Sequence, residues 1–301
     1  MRVVSLLPSG TEIVTSLGHG PDLVGRSAEC DFPPTIRDRA IVMRPRTRDD
    51  ERSSREIDER VRSRRAKGES LYELDMDLLR RLRPDVLVTQ DLCGVCSVTE
   101  PEVRAACAEA GVSPQIISLT PTNLEAVWDS IATVADAIGD RPAGVRLARE
   151  LRQRTRAPAR RSTGPKVAIV EWLDPPILAG LWAPDIVRIA GGTSVGPPRG
   201  APGARTTWAE LAALAPELVI LSPCSFSVDR TRREILRAGL DGELGKLSPS
   251  LGVYLADEAY FSRPGPRLAD GVELVRAILT GQPLPRPMPV RRWTSQELRA
   301  R

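Results

Sequence analysis

A chain of 301 residues with 41% hydrophobic and 27% charged content is long enough to bury a substantial core and too apolar to be disordered. The net charge is only +4, and the basic stretch over residues 140–166, with nine Lys/Arg against two acids, has no interleaved aromatics, so no nucleic-acid partner is expected. No apolar run approaches the roughly 18 residues that span a bilayer, and the N-terminus lacks a signal peptide's apolar region and cleavage site, so the expected location is cytoplasmic.

The first predicted element is a buried strand over residues 3–7. A helix follows, with Ser9 and Glu12 spaced as a capping box and Gly18 as its stop. That arrangement aims the backbone N–H groups of Ser9, Gly10 and Thr11 at the carboxyl end of the first strand. The sole histidine, His19, reads as a solvated helix-end residue, so neither a histidine-rich metal site nor a Ser/His triad is available. Residues 23–27 form a second strand ahead of Cys30, Asp31 and Phe32, and the mixed-charge stretch 44–67 reads as an exposed insertion.

An internal repeat comes next. Asp77-Leu78-Leu79-Arg80-Arg81-Leu82-Arg83-Pro84-Asp85-Val86-Leu87-Val88 is a helix stopped by proline and followed by a buried strand. Glu210-Leu211-Ala212-Ala213-Leu214-Ala215-Pro216-Glu217-Leu218-Val219-Ile220-Leu221 repeats it 132 residues later, from Pro84 to Pro216. Two equivalent α/β lobes with parallel sheets follow. An amphipathic helix over residues 124–138 closes the first lobe, and Asp140-Arg141-Pro142 opens another that runs to about residue 155. At 1.5 Å per residue this second helix spans roughly 20–25 Å. The expected fold class is thus α/β: two Rossmann-like lobes joined by a single long helix, with a ligand crevice between them. Its boundaries are 1–140 for the first lobe, 141–160 for the linker helix, 165–283 for the second lobe and 284–301 for a tail.

Open α/β sheets bind ligands outside the carboxyl ends of their strands, which makes the residues there the candidates. In the first lobe these are Ser9, Gly10, Thr11, Asp31, Phe32 and Gln90. In the second they are Glu171 and Trp172, then Trp182, and Tyr260, Phe261 and Arg263 after the strand 252–256. Trp172 and Trp182 offer π faces for a flat ligand, or serve as core aromatics. Arg263, or Arg267 nearby, offers a fork for a carboxylate or phosphate, or caps local carbonyls. The thiols Cys30, Cys93, Cys96 and Cys224 also follow strands, and the Cys93–Cys96 spacing suits one zinc ion, an iron–sulfur cluster or a redox pair. Small buried core residues are the other reading of these thiols, and the only one for Cys107. The glycines at 191–192 and 196–203 lack a phosphate-loop pattern.

Arg2-Val3-Val4-Ser5-Leu6-Leu7-Pro8-Ser9-Gly10-Thr11-Glu12 and Val24-Gly25-Arg26-Ser27-Ala28-Glu29-Cys30-Asp31-Phe32-Pro33-Pro34 resemble cobalamin-binding members of the helical-backbone (class III) substrate-binding proteins. Arg83-Pro84-Asp85-Val86-Leu87-Val88 is similar to an element of the whole class. The segments 90–96 and 259–267 resemble a cytoplasmic subgroup without signal peptides. The resemblance implies a small-molecule or metal-chelate ligand, a corrinoid or related cofactor, held between two lobes. It also implies acids on the lobe tops that dock a permease, for which Asp77 and Glu210 are the nearest matches; without an export signal, a permease partner is not expected. Two alternatives remain at this point: a metal- or iron–sulfur-dependent enzyme using the crevice thiols, and the receptor subunit of an ABC importer.

Overall fold

The computed structural model describes residues 1–47, 52–92, 98–156 and 164–294. The chain divides into two units. The first comprises Met1–Glu51, Glu59–Pro121 and Glu125–Gln153, the second Arg52–Asp58, Thr122–Leu124 and Arg154–Arg301.

In chain order the first unit contains β1 (Val3–Ser5), α1 (Pro8–Ser16), β2 (Leu23–Ser27), β3 (Ala40–Pro45), most of α2 (Ser54–Ala66), β4 (Tyr72–Leu74), α3 (Met76–Leu82), β5 (Val86–Gln90), α4 (Glu100–Ala110), β6 (Gln115–Leu119), α5 (Leu124–Ala137) and α6 (Arg141–Arg154). Its six strands are ordered β4-β3-β2-β1-β5-β6, with β1, β2, β3, β5 and β6 parallel and β4 antiparallel at the edge. Every residue of β5 is buried, as expected of a parallel strand covered on both faces. One core packs Val4, Leu6, Val42, Leu79, Leu87 and Val103, and Cys107 lies within it.

The second unit holds β7 (Lys166–Leu173), β8 (Pro176–Leu178), α7 (Ala183–Ala190), β9 (Thr193–Ser194), β10 (Ala204–Arg205), α8 (Trp208–Ala213), β11 (Leu218–Leu221), α9 (Val228–Arg237), α10 (Asp241–Leu247), β12 (Gly252–Ala256), α11 (Leu268–Thr280) and β13 (Val290–Arg292). Its sheet runs β10-β8-β7-β11-β12-β13, with β7, β11 and β12 parallel at the centre and β9 paired off the path with β7. Val170, Leu173, Trp208, Leu221, Ile235, Leu255 and Trp293 form its core.

The repeat has a structural counterpart in each unit. A left-handed residue stands directly ahead of the proline in both copies, Arg83 at φ 45° right after α3 and Ala215 at φ 50° two residues after α8. The acid after each proline then ties down the neighbouring strand. The Asp85 carboxylate accepts the Arg2 N–H at 2.8 Å at the start of β1, and the Glu217 carboxylate accepts the Lys166 N–H at 2.9 Å at the start of β7. A proline and an acid at fixed spacing thus set where a central strand begins in both sheets.

Two local expectations are corrected. The charged stretch 44–67 carries the end of β3 and the helix α2. The opening turn of α2 groups with the second unit: Ser54 is fully buried and donates both its N–H and its hydroxyl to the Glu234 carboxylate at 2.6 Å. Secondly, Ser9 is no helix cap. Proline at the first helical position lets α1 start at Pro8, which makes Leu7 the N-cap and leaves α1 with no side-chain cap bond.

Candidate functional site

Parallel strands end together, so in the first unit the residues after β1, β2, β5 and β6 share one edge. The connection from β1 leads to β2 on one side, and that from β5 leads to β6 on the other. The carboxyl ends of β1 and β5 therefore flank the topological switch point, where an open α/β sheet has its natural crevice. α1 is seated close against these strands because residue 10 is glycine. A Cβ there would stand 2.9 Å from Ser5 Oγ and 2.9 Å from Val88 Cγ1.

Several sequence-selected residues meet at this edge. Ser9, Gly10 and Thr11 are buried in the first turns of α1, and Gln90 ends β5 at 7% exposure. Thr11 Oγ1 donates to Cys30 Sγ at 3.0 Å, which links α1 to the loop after β2. That loop is organised by Arg26, a residue the sequence analysis left aside. Its guanidinium is buried and donates to the carbonyls of Ser27 and Cys30, each at 3.0 Å, and of Arg37 at 2.9 Å. An arginine inside the apolar run Leu23-Val24-Gly25-Arg26-Ser27 was the signal that could have found it. On the loop so held, Asp31 is exposed and Phe32 is 43% exposed, the one exposed aromatic among the described residues.

The second unit treats its candidates differently. Trp182 is 5% exposed and its indole N–H donates to the Phe261 carbonyl at 2.6 Å, which makes it a core residue there. Tyr260 and Phe261 are buried as well, and burial pushes the Tyr260 phenol above its ordinary pKa. Trp172 is half-buried, donates to the Ser54 carbonyl at 3.2 Å and meets the Phe226 ring edge-on at 5.4 Å. Arg263 is not presented to an outside anion: its Nε donates to Glu258 at 2.9 Å, and both side chains are only 12% exposed. Glu171 is half-buried, and its carbonyl accepts the Cys224 N–H at 3.1 Å.

Cys30 and Cys107 are buried and Cys224 is half-buried, while Cys93 and Cys96 lie outside the described residues. Burial raises the Cys107 thiol above its ordinary pKa, in keeping with a core role. Among the described residues, no group of three or more His, Cys, Asp or Glu is placed to hold a metal. His19 is more engaged than expected of a solvated end. Its Nδ1 lies 2.7 Å from Asp22 and its Nε2 3.3 Å from Asp140, so it bridges two carboxylates within the first unit. The hydrogen bond with Asp22 chiefly raises its pKa.

No family model and no curated protein matches the sequence. Solved structures do match. A periplasmic heme binding protein from Pseudomonas aeruginosa aligns with a TM-score of 0.68 and 20% identity, over 97% of this chain and 98% of that one. A periplasmic vitamin B12 binding protein of Vibrio cholerae aligns at 0.65 and 18% identity, over 93% and 96% of the two chains. A periplasmic heme-binding protein solved with two hemes aligns at 0.64 and 22% identity, over 93% and 98%. The chain shares the α/β fold of these periplasmic binding proteins.

The two acids matched by analogy to this fold have local work. Glu210 closes a capping box with Thr207 at the start of α8, and the hydrogen bond from the Thr207 backbone lowers its pKa. Asp77 pairs with Arg80 one turn on, 2.6 Å away, and the N-cap of α3 is Asp75. Among the described residues, no helix is long and apolar enough to cross a membrane.

Proposed function

We propose that this chain is a ligand-binding protein for a macrocyclic metal chelate of the corrinoid or haem type. The observation that carries this reading is the alignment of nearly the whole chain with periplasmic haem- and vitamin B12-binding proteins. Two features of the first unit support it. A flat, largely apolar ligand needs an exposed aromatic face, and Phe32 is held out on a loop braced by a buried arginine. The same edge lies at the switch point of a parallel sheet. The chelated metal would arrive with its ligand as cargo, which asks for no resident metal site.

Titration of the purified chain with hydroxocobalamin and with haemin tests this, by visible absorption and by quenching of tryptophan emission. The expected result is saturable binding of at least one of them, weakened by Phe32→Ser. If neither compound saturates a site, the reading falls.

A further inference from the structure

We infer that the first unit carries a built subsite for an oxyanion, a carboxylate or phosphate group, between the N-terminus of α1 and the end of β5. The inference names a chemical group for the edge to which the proposed function assigns a macrocycle, and in that sense rests on the same edge.

α1 has nine residues, and its N-cap, Leu7, has no side chain with which to satisfy the first-turn donors. Thr11 is the first of these residues to have an internal partner, its N–H donating to the Leu7 carbonyl at 3.1 Å. Among the described residues, no acceptor meets the N–H of Ser9 or of Gly10, and both residues are buried. Two outward-turned donors at a helix start favour negative charge.

An independent observation points to the same place. Gln90 is 93% buried, taken from its 7% exposure, yet among the described residues its side-chain amide has no hydrogen-bond partner. It is not among the fully enclosed unpartnered atoms, so its polar end reaches accessible space. Its direction follows from the register. Ser5 pairs with Val88, so two residues further along Gln90 stands beside Leu7, the N-cap of α1. Val88 packs at the position of a Gly10 Cβ, and alternate strand residues share a face, so Gln90 is on the α1 face too. The Ser9 hydroxyl is in the same condition: 2% exposed, unpartnered among the described residues and not enclosed.

Four donors converge: two backbone N–H groups, one hydroxyl and one carboxamide. The local charge agrees. Arg26 is only 7% exposed; among the described residues its guanidinium donates to three carbonyls, its Nε is unpartnered, and no acid pairs with it. A buried cation without a counter-ion is costly, and a bound anion nearby offsets that cost. Glu12, the one acid on α1, is buried and already engaged.

The test is a titration of the uniformly nitrogen-15-labelled chain with inorganic phosphate and, separately, with sodium acetate, against sodium chloride at equal ionic strength. The Ser9 and Gly10 amide signals should move saturably with phosphate or acetate and stay in place with chloride. Gln90→Glu, nearly isosteric, should weaken that response by about tenfold or more by setting a like charge against the anion. Ser9→Ala, which keeps the fold and removes only the hydroxyl, should weaken it less. Unmoved signals, movement that does not saturate, equal movement with chloride, or an undiminished response in Gln90→Glu would each overturn the subsite. These titrations need no macrocycle, so they stand whether or not haemin or hydroxocobalamin binds. Macrocycle binding with Ser9 and Gly10 unmoved by every anion would overturn the subsite and leave the proposed function in place. Shifts with haemin and acetate alike would identify a ligand carboxylate as the group, whereas shifts with phosphate only would identify a phosphate.

Discussion

The two units share a parallel αβ core and a repeat that starts a central strand in the same way, but their carboxyl edges have opposite characters. In the first unit, Ser9 and Gln90 are buried and their side chains have no hydrogen-bond partner among the described residues, and Phe32 is 43% exposed. In the second, Trp182 donates to Phe261, Arg263 pairs with Glu258, and Trp172 donates to the opening turn of α2. Side chains suited to ligand recognition thus stay accessible at one edge and serve cohesion at the other. Residue type alone does not separate these uses, because burial and hydrogen-bond saturation decide between them.

The largest expected effect tests the cohesive edge. Trp182→Ala removes a buried indole and should cost about 3–5 kcal/mol in urea unfolding, whereas Trp182→Phe should cost less. A folded Trp182→Ala chain that lost macrocycle binding at unchanged stability would break the comparison. Next comes the dock of α2. Glu234 is 4% exposed and accepts both Ser54 donors, so Glu234→Ala strands two buried donors and should cost about 1.5–3 kcal/mol by the same assay.

A pH dependence follows from the first unit. The folded pKa of His19 is raised, chiefly by its hydrogen bond with Asp22, so its stabilising contribution is complete below the ordinary histidine pKa of about 6.5. That contribution fades as pH rises through the folded value. The lowered pKa values of Asp22 and Asp140 act at the acid end, where their contribution is lost as pH falls through them. His19→Gln should therefore lower the unfolding midpoint near pH 5 and leave it almost unchanged near pH 9. An equal loss at both values would show a packing role only.

The smallest expected change in stability sharpens the other side of the comparison. Phe32→Ser, at a side chain 43% exposed, should move unfolding by no more than about 0.5 kcal/mol while weakening binding of haemin or hydroxocobalamin. Calorimetric titration beside the unfolding curve separates the two readouts.

Much of the fold was legible from particular residues. Pro84 with Asp85 and Pro216 with Glu217 announced two matching lobes because a proline stop and a strand-anchoring acid act within a few residues of themselves. The buried runs at β5 and β11 announced parallel sheets, since strands covered on both faces need no alternation. The start of α1 was misplaced by two residues because Ser9 and Glu12 have the spacing of a capping box, while Pro8 already fits the first helical position and makes Leu7 the N-cap. The position of Ser54 at Glu234, 180 residues away, left no local trace.

The sequence by itself determined the repeated helix–proline–strand units, the parallel sheets and the edge at which their strands end, because these follow from periodicity and short-range stereochemistry. Only the tertiary structure decided which candidates remain available. Trp182, Arg263 and Trp172 found partners distant in the chain, whereas Gln90 and Ser9 were buried beside a helix start that no side chain caps. Hydrogen-bond saturation depends on neighbours that a linear sequence does not specify, and at this protein's sheet edges it separates side chains already engaged from those that remain accessible.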